Sequence, residues 1–118
     1  MEQSILTDGT VLEENGESVV VNQYSFCELV KELLVQYAGL SYEEADRLVG
    51  RSHLARPIES AGDAGLLGHE LPYYWAMSLR YGNGYWQKGI PAQPEDLAAY
   101  FEAEREIIRR RGLKEPFE

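Results

Sequence analysis

The 118-residue sequence predicts an α+β fold, mostly helical, in which an N-terminal β-hairpin packs on a core of about four helices. Three observations predict it. Two β-prone runs flank an Asn-Gly pair near the start. Ser-x-x-Glu capping signals precede apolar residues at helical spacing in two places. Six aromatic residues, of eight Tyr, three Phe and two Trp in all, crowd between His69 and Trp86, where core and any binding surface must meet.

The hairpin is expected over residues 10–22. Thr10-Val11-Leu12-Glu13 and Ser18-Val19-Val20-Val21 are the strands, Asn15-Gly16 supplies the positive φ angles of a tight turn, and strand alternation puts Val19 and Val21 on one side. A two-stranded ribbon is marginal alone, so it must lie on the helices or offer an edge to another chain. An αα-hairpin is expected over 25–53. Its first helix opens at the Ser25-x-x-Glu28 box and carries Phe26, Leu29, Val30, Leu33, Leu34 and Tyr37 to Gly39. Its second opens at Ser41-x-x-Glu44, carries Tyr42, Ala45, Leu48 and Val49, and ends by about His53.

Residues 55–70 read as a loop with at most one helical turn, because Pro57, Gly62, Gly65 and Gly68 stand among small residues. Pro72 suits the first turn of a helix over 71–81, whose apolar surface is interrupted only by Ser78 and Arg80 and which is therefore expected to be the buried centre. Gly82-Asn83-Gly84 ends it, and Tyr85 and Trp86 follow on a polar loop. A last helix is expected over 94–111, with Glu95 and Asp96 in its first turn and Arg109, Arg110 and Arg111 in its last, complementing the helix dipole. Leu97, Tyr100, Phe101, Ile107 and Ile108 form its apolar stripe, and Glu104 and Arg111 project inside it. Either the C-terminal half of that stripe lies at the domain margin, the simpler arrangement, or Glu104 is paired with a cation, because an unpartnered buried carboxylate is too costly. The expected interior is Phe26, Leu29, Val30, Leu33, Leu34, Leu48, Trp75, Leu79, Phe101 and Ile108.

Length fits one domain over 1–118 with one sizeable core. No apolar run approaches the roughly 20 residues of a membrane span, and Met1-Glu2-Gln3-Ser4 begins no signal peptide. The single cysteine, Cys27, forms no internal disulfide and reads as a small buried hydrophobe. A soluble protein of the cytoplasm, bacterial in style, is expected. Net charge is -9 and uneven: residues 1–50 hold ten acids against Lys31 and Arg47, whereas residues 51–118 hold ten acids against nine bases. That surface repels phosphate backbones and attracts a basic partner.

The αα-hairpin resembles a DNA-binding helix-turn-helix in outline, with Leu34, Ala38, Gly39, Leu40, Ala45 and Leu48 where that motif wants apolar or small residues. Its would-be recognition helix, however, displays Glu43, Glu44 and Asp46 against Arg47 alone, where base and phosphate contacts require donors and cations. Nucleic acid is therefore disfavoured as a partner. The glycines of 62–68 lack the Gly-x-Gly-x-x-Gly and Gly-Lys-Ser/Thr patterns of phosphate loops. His69-Glu70 starts like His-Glu-x-x-His, but Tyr73 occupies the place of the second histidine and Pro72 intervenes. A looser metal set of His53, His69 and Glu70 with Cys27 or Glu104, or a triad such as Ser52 or Ser60 with His69 and Asp63, has no supporting spacing. No catalytic residue, metal ligand or cofactor is assigned.

The sequence favours a small acidic, non-catalytic protein-binding module, in the manner of an inhibitor, immunity or antitoxin-like protein. Its expected interaction residues are Tyr81, Asn83, Tyr85, Trp86, Glu43, Glu44 and Asp46, since Tyr and Trp anchor interfaces and acids steer basic proteins. A second copy of the chain is a further candidate partner. The alternatives are a small-molecule or metal-dependent enzyme with its site near His69 and Glu70, and a regulator with a degenerate helix-turn-helix.

Overall fold

The computed structural model describes residues 6–14 and 16–117. Strand β1 (Thr10–Glu14) pairs antiparallel with β2 (Glu17–Val21), Val19 opposite Leu12 and Val21 opposite Thr10. Glu14 faces Glu17, which leaves two residues for the turn. Gly16 holds φ of 80°, a conformation that glycine adopts without strain, and Asn15 lies outside the described residues. Among the described residues five α-helices follow: α1 (Gln23–Ala38), α2 (Tyr42–Gly50), α3 (Ala61–Gly68), α4 (Pro72–Tyr81) and α5 (Leu97–Arg111). Short 3-10 turns occupy His53–Ala55 and Tyr85–Lys88. The fold is thus α+β and mostly helical, with the hairpin at the N-terminal end.

The centre is α1, and not the apolar helix α4. Helices α2, α4 and α5 all pack against α1, whose Phe26, Leu29, Val30, Leu33 and Leu34 are fully buried. On α4 only Tyr73, Ala76 and Met77 are buried, while Trp75 and Leu79 are half-buried; tyrosine and tryptophan carry polar tips that keep a helix rich in them from sinking entirely. The half-buried Trp75 satisfies its indole N–H by donating to the Leu67 carbonyl at 2.9 Å.

Helix α1 begins earlier than the Ser25 box implies. Ser25 lies inside the helix, and the cap comes from upstream: Asp8 accepts from the Ser25 N–H at 2.9 Å and from its hydroxyl at 2.7 Å. Glu28, the other half of the expected box, points into the protein instead. At Ser41 the box forms as expected, with the Ser41 hydroxyl accepting from the Glu44 N–H and Glu44 from the Ser41 N–H.

Helix α3 stands where a loop is expected, and it is the helix that lies on both strands of the hairpin. Three glycines cost helix propensity, roughly 1 kcal/mol each relative to alanine. Against that, Ser60 caps the Asp63 N–H, Ala64 and Leu67 are buried, and the Trp75 indole binds the last turn. Phe117 makes a β-bridge with Val21 and packs on Phe26 and under Gly68, so the C-terminal segment closes the hairpin onto the helices.

On α5, capped by Asp96 through the Ala99 N–H, the buried side chains are Tyr100 and Ile107; Phe101 is exposed and Ile108 half-buried. The stripe is thus narrower than expected, with Leu97 and Phe101 left exposed at its edge, while Arg111 is drawn inward as its position within the stripe implies. Its guanidinium donates to Glu28 at 2.6 Å and to Glu32 at 2.5 Å, and it stacks 5.5 Å from the Tyr42 ring centre. Lys31 and the Tyr42 hydroxyl complete the shell of Glu28, each at 2.5 Å. Burial disfavours the Glu28 carboxylate, but hydrogen bonds from Lys31, Tyr42 and Arg111 outweigh it and hold its pKa below the ordinary value. Breaking a buried ion pair from one side leaves an uncompensated charge and costs about 3–5 kcal/mol.

Arg111→Met is expected to destabilise the protein by about 3 kcal/mol, toward the low end of that range because Lys31 and Tyr42 remain on Glu28. Since the folded pKa of Glu28 is depressed, the node's contribution is complete above the unfolded value of about 4.3 and disappears as pH falls through the folded one. Urea titrations of both proteins between acid and neutral pH test this; a difference under 1 kcal/mol at neutral pH, or one that grows in acid, refutes it.

Candidate functional site

The aromatic segment does not form one surface. Tyr85 is fully buried, and its hydroxyl donates to the Ala92 carbonyl at 2.6 Å. Burial, followed by the fields of Tyr73, Tyr74 and Glu70, pushes its pKa up to about 12. It is therefore core, contrary to the expectation that it anchors a partner; the 3-10 turn of Tyr85–Lys88 points its first side chain inward. Trp86 turns outward, 46% exposed, with its ring edge-on to Tyr85 at 5.1 Å. Asn83 is exposed in the turn after α4, between Gly82 and Gly84 at φ of 97° and 73°.

The acidic set on α2 is also divided. Asp46 pairs with Lys31 at 2.7 Å and Glu44 is engaged in the Ser41 box, so both have internal work, whereas Glu43 stands exposed. Backbone and hydroxyl hydrogen bonds from Ser41, then Arg47 and Arg80, lower the pKa of Glu44. Helix α2 also touches α4.

Along one face of α4 lies a cleft of about 330 Å³. Tyr37 comes to it from the last turn of α1, and Tyr73, Met77 and Tyr81 from one face of α4, spaced four residues apart. Ile90, Pro91 and Pro94 of the connecting segment form a second wall, and Glu95, Asp96 and Ala99 at the start of α5 form the rim. Of the expected interaction residues, only Tyr81 lines it.

The back of the cleft is a fixed aromatic cluster. Tyr73 meets Tyr37 edge-on at 5.8 Å, Tyr100 at 6.0 Å and Tyr85 at 6.4 Å. Each geometry is the edge-to-face type favoured by ring quadrupoles. The Tyr73 hydroxyl donates to the Pro91 carbonyl at 2.9 Å, and its N–H donates to the Tyr100 hydroxyl at 3.1 Å. Burial and then the carboxylates Asp96 and Glu104 raise the pKa of Tyr37; burial and then Glu95 do the same for Tyr73. The rim carboxylates Glu95 and Asp96 are thus close enough to act on the tyrosines that line the cleft. Nearby, the Arg80 guanidinium lies over the Tyr81 ring, 5.0 Å from its centre.

Below the cleft, Glu104 is held by its neighbour one turn back, Tyr100, and by no cation among the described residues. Its Oε2 is buried without a hydrogen-bond partner. Burial raises its pKa and outweighs the lowering by the Tyr100 hydrogen bond, with Glu115 adding to the rise and Arg105 slightly opposing it. The margin expected for this half of α5 is thus only partial, since this carboxylate lies inside it. Glu104 was conspicuous in the sequence as an acid within an apolar stripe; Glu28 was not, because its place in an apparent capping box accounted for it.

The histidine-centred readings are not assembled by the fold. His53 packs edge-on against Trp75 at 5.7 Å, and His69 is exposed after α3, lining a separate groove of about 440 Å³ with Glu17, Ser18 and Phe117. Cys27 is buried with its thiol on the Leu54 carbonyl, and burial pushes its pKa up to about 12, far from a reactive thiolate. Among the described residues no group of three or more His, Cys, Asp or Glu side chains could hold a metal ion, and no helix is long and apolar enough to cross a membrane. No protein-family model matches the chain, and neither a curated protein nor a solved structure matches it.

Glu104→Gln is expected to stabilise the protein at neutral pH by roughly 1 kcal/mol, since a buried unsatisfied charge is replaced by a neutral amide. The raised folded pKa means that the wild type loses stability as pH climbs from about 4.3 through the folded value. The variant should lack that decline. Thermal denaturation from acid to pH 8 is the measurement, and a variant less stable than the wild type at neutral pH refutes the assignment.

Proposed function

We propose that this protein is a small acidic, non-catalytic module that binds a basic protein, acting by association in the manner of an inhibitor, immunity or antitoxin-like protein. The observation that supports it is the cleft of Tyr37, Tyr73 and Tyr81 rimmed by Glu95 and Asp96. Tyr73, held by its edge contact with Tyr37 and by its hydrogen bond to the Pro91 carbonyl, gives contact area at low entropic cost, the property of an interface anchor, and Tyr81 extends that surface. A net charge of -9 supplies the long-range field that brings a basic protein to it.

The two contributions separate kinetically. Steering by exposed charge acts on association and is screened beyond about 8–10 Å. Contacts in the cleft act on dissociation.

Immobilised protein should capture a partner of net positive charge from cells that express it natively. With that partner purified, raising salt should slow association while leaving dissociation nearly unchanged. Tyr81→Ala should speed dissociation by about tenfold or more, an anchor's share of binding energy. Should the partner be acidic or a nucleic acid, or should the Tyr81 variant dissociate at the wild-type rate, the reading is wrong.

A further inference from the structure

We propose that the tyrosine cleft is a lysine receptor: it takes the side chain of a lysine on the basic partner, with the ammonium at the carboxylate rim and the methylene stem between the rings. The inference rests on the binding-module reading and narrows it to one chemical group.

The cleft has the two parts such a side chain requires. Met77, Ile90, Pro91 and Pro94 line it with apolar surface, Met77 and Pro94 being buried, which suits a flexible hydrocarbon stem. At its mouth are Glu95, exposed on the rim, and Asp96, with ring systems of Tyr37, Tyr73 and Tyr81 between. Tyrosine faces attract a cation through the ring quadrupole, and partial desolvation strengthens that attraction. The molecule's own Arg80 lies over the Tyr81 ring at 5.0 Å from its centre, an instance of the same attraction.

Lysine fits better than arginine for a stereochemical reason. A guanidinium is best held by a carboxylate with both oxygens free to accept its paired donors. Asp96 already accepts the Ala99 N–H at 3.0 Å as the cap of α5, so only Glu95 could take a guanidinium in bidentate fashion, and the rim cannot be used in full by that group. An ammonium, a compact charge with rotatable donors, needs only one oxygen from each rim carboxylate. A neutral apolar side chain would fill the depth but leave the rim unanswered.

The test uses the full chain and a minimal probe, Nα-acetyl-lysine methylamide, followed by tyrosine ring resonances in NMR. Controls at matched ionic strength are the norleucine analogue, which has the stem without the charge, and the arginine analogue. The lysine probe should shift the rings of Tyr37, Tyr73 and Tyr81 saturably. The norleucine probe should bind at least tenfold more weakly, and the arginine probe more weakly than lysine. Glu95→Gln, at an exposed position, should weaken the lysine probe about threefold to tenfold, and Glu95→Asp should restore much of the loss.

Equal binding of norleucine and lysine, tighter binding of arginine, unmoved cleft tyrosines, or an unaffected Glu95→Gln variant would each overturn the proposal. The probe needs no partner, so the two readings fail separately. A basic protein captured by a cleft silent to the lysine probe rejects the lysine receptor and keeps the module. Lysine binding by a protein that captures only acidic partners does the reverse.

Discussion

Burying the polar start of α1 is the constraint around which the other segments are placed. Asn22, Gln23, Ser25 and Glu28 are all at most 5% exposed, and each buried polar group must find a partner or cost stability. The partners are the loops and termini. Asn22 receives the Gly9 N–H and gives its amide to the Glu115 carbonyl; Gln23 holds the carbonyls of Leu54 and Arg56 and the N–H of Ile58. Ser25 is held by Asp8 and itself accepts the Lys114 N–H at 2.9 Å. A single helical turn thus positions the entry to the hairpin, the segment after α2 and the C-terminal tail. The Glu28 node extends the same logic to α2 through Tyr42 and to α5 through Arg111.

The cleft inherits its geometry from that node. Arg111 fixes the C-terminal turn of α5 against α1, and the rigidity of a helix carries that position to Asp96 and Tyr100 at the other end. Tyr100 then accepts the Tyr73 N–H, which fixes the N-terminal turn of α4, where Pro72 has no N–H to offer. Tyr85 closes the arrangement from behind by binding the Ala92 carbonyl, and so holds the proline-rich wall in place. The tyrosines therefore have two kinds of role: Tyr85 and Tyr100 are interior struts, and Tyr37 and Tyr81 present surface. Sequence position does not separate them, because all four are single residues near helix ends or in turns.

What the sequence made legible follows from how local each signal is. Asn15-Gly16, the Ser41 box and Pro72 act within four residues, and the elements they mark form where expected. Helix α3 depends on Trp75, Phe117 and the hairpin, and the start of α1 depends on Asp8 seventeen residues upstream of Ser25; neither can be read from a window. On α5 the stripe forms with Tyr100 and Ile107 buried as expected, but Leu97 and Phe101 at its edge stay exposed, because the ion pair of Arg111 with distant glutamates decides how far the helix turns its face inward. The cleft draws on α1, α4, the proline segment and α5, so Tyr81 was recognisable as an aromatic at a helix end but its companions were not.

The distribution of acids changes meaning once the fold is known. The first half of the chain has the larger net negative charge, yet Asp8, Glu28, Glu32, Glu44 and Asp46 all serve internal contacts. Lys31 and Arg111 answer most of that charge within the node, one from each half of the sequence. The rim carboxylates Glu95 and Asp96 come from the half that is nearly neutral by count. Net charge is a far-field quantity that sums all sites and bears on encounter, whereas recognition depends on the few charges at an aromatic concavity where water is partly excluded. The long-range field and the anchoring site are consequently assigned to different parts of the chain, and a substitution in one need not disturb the other.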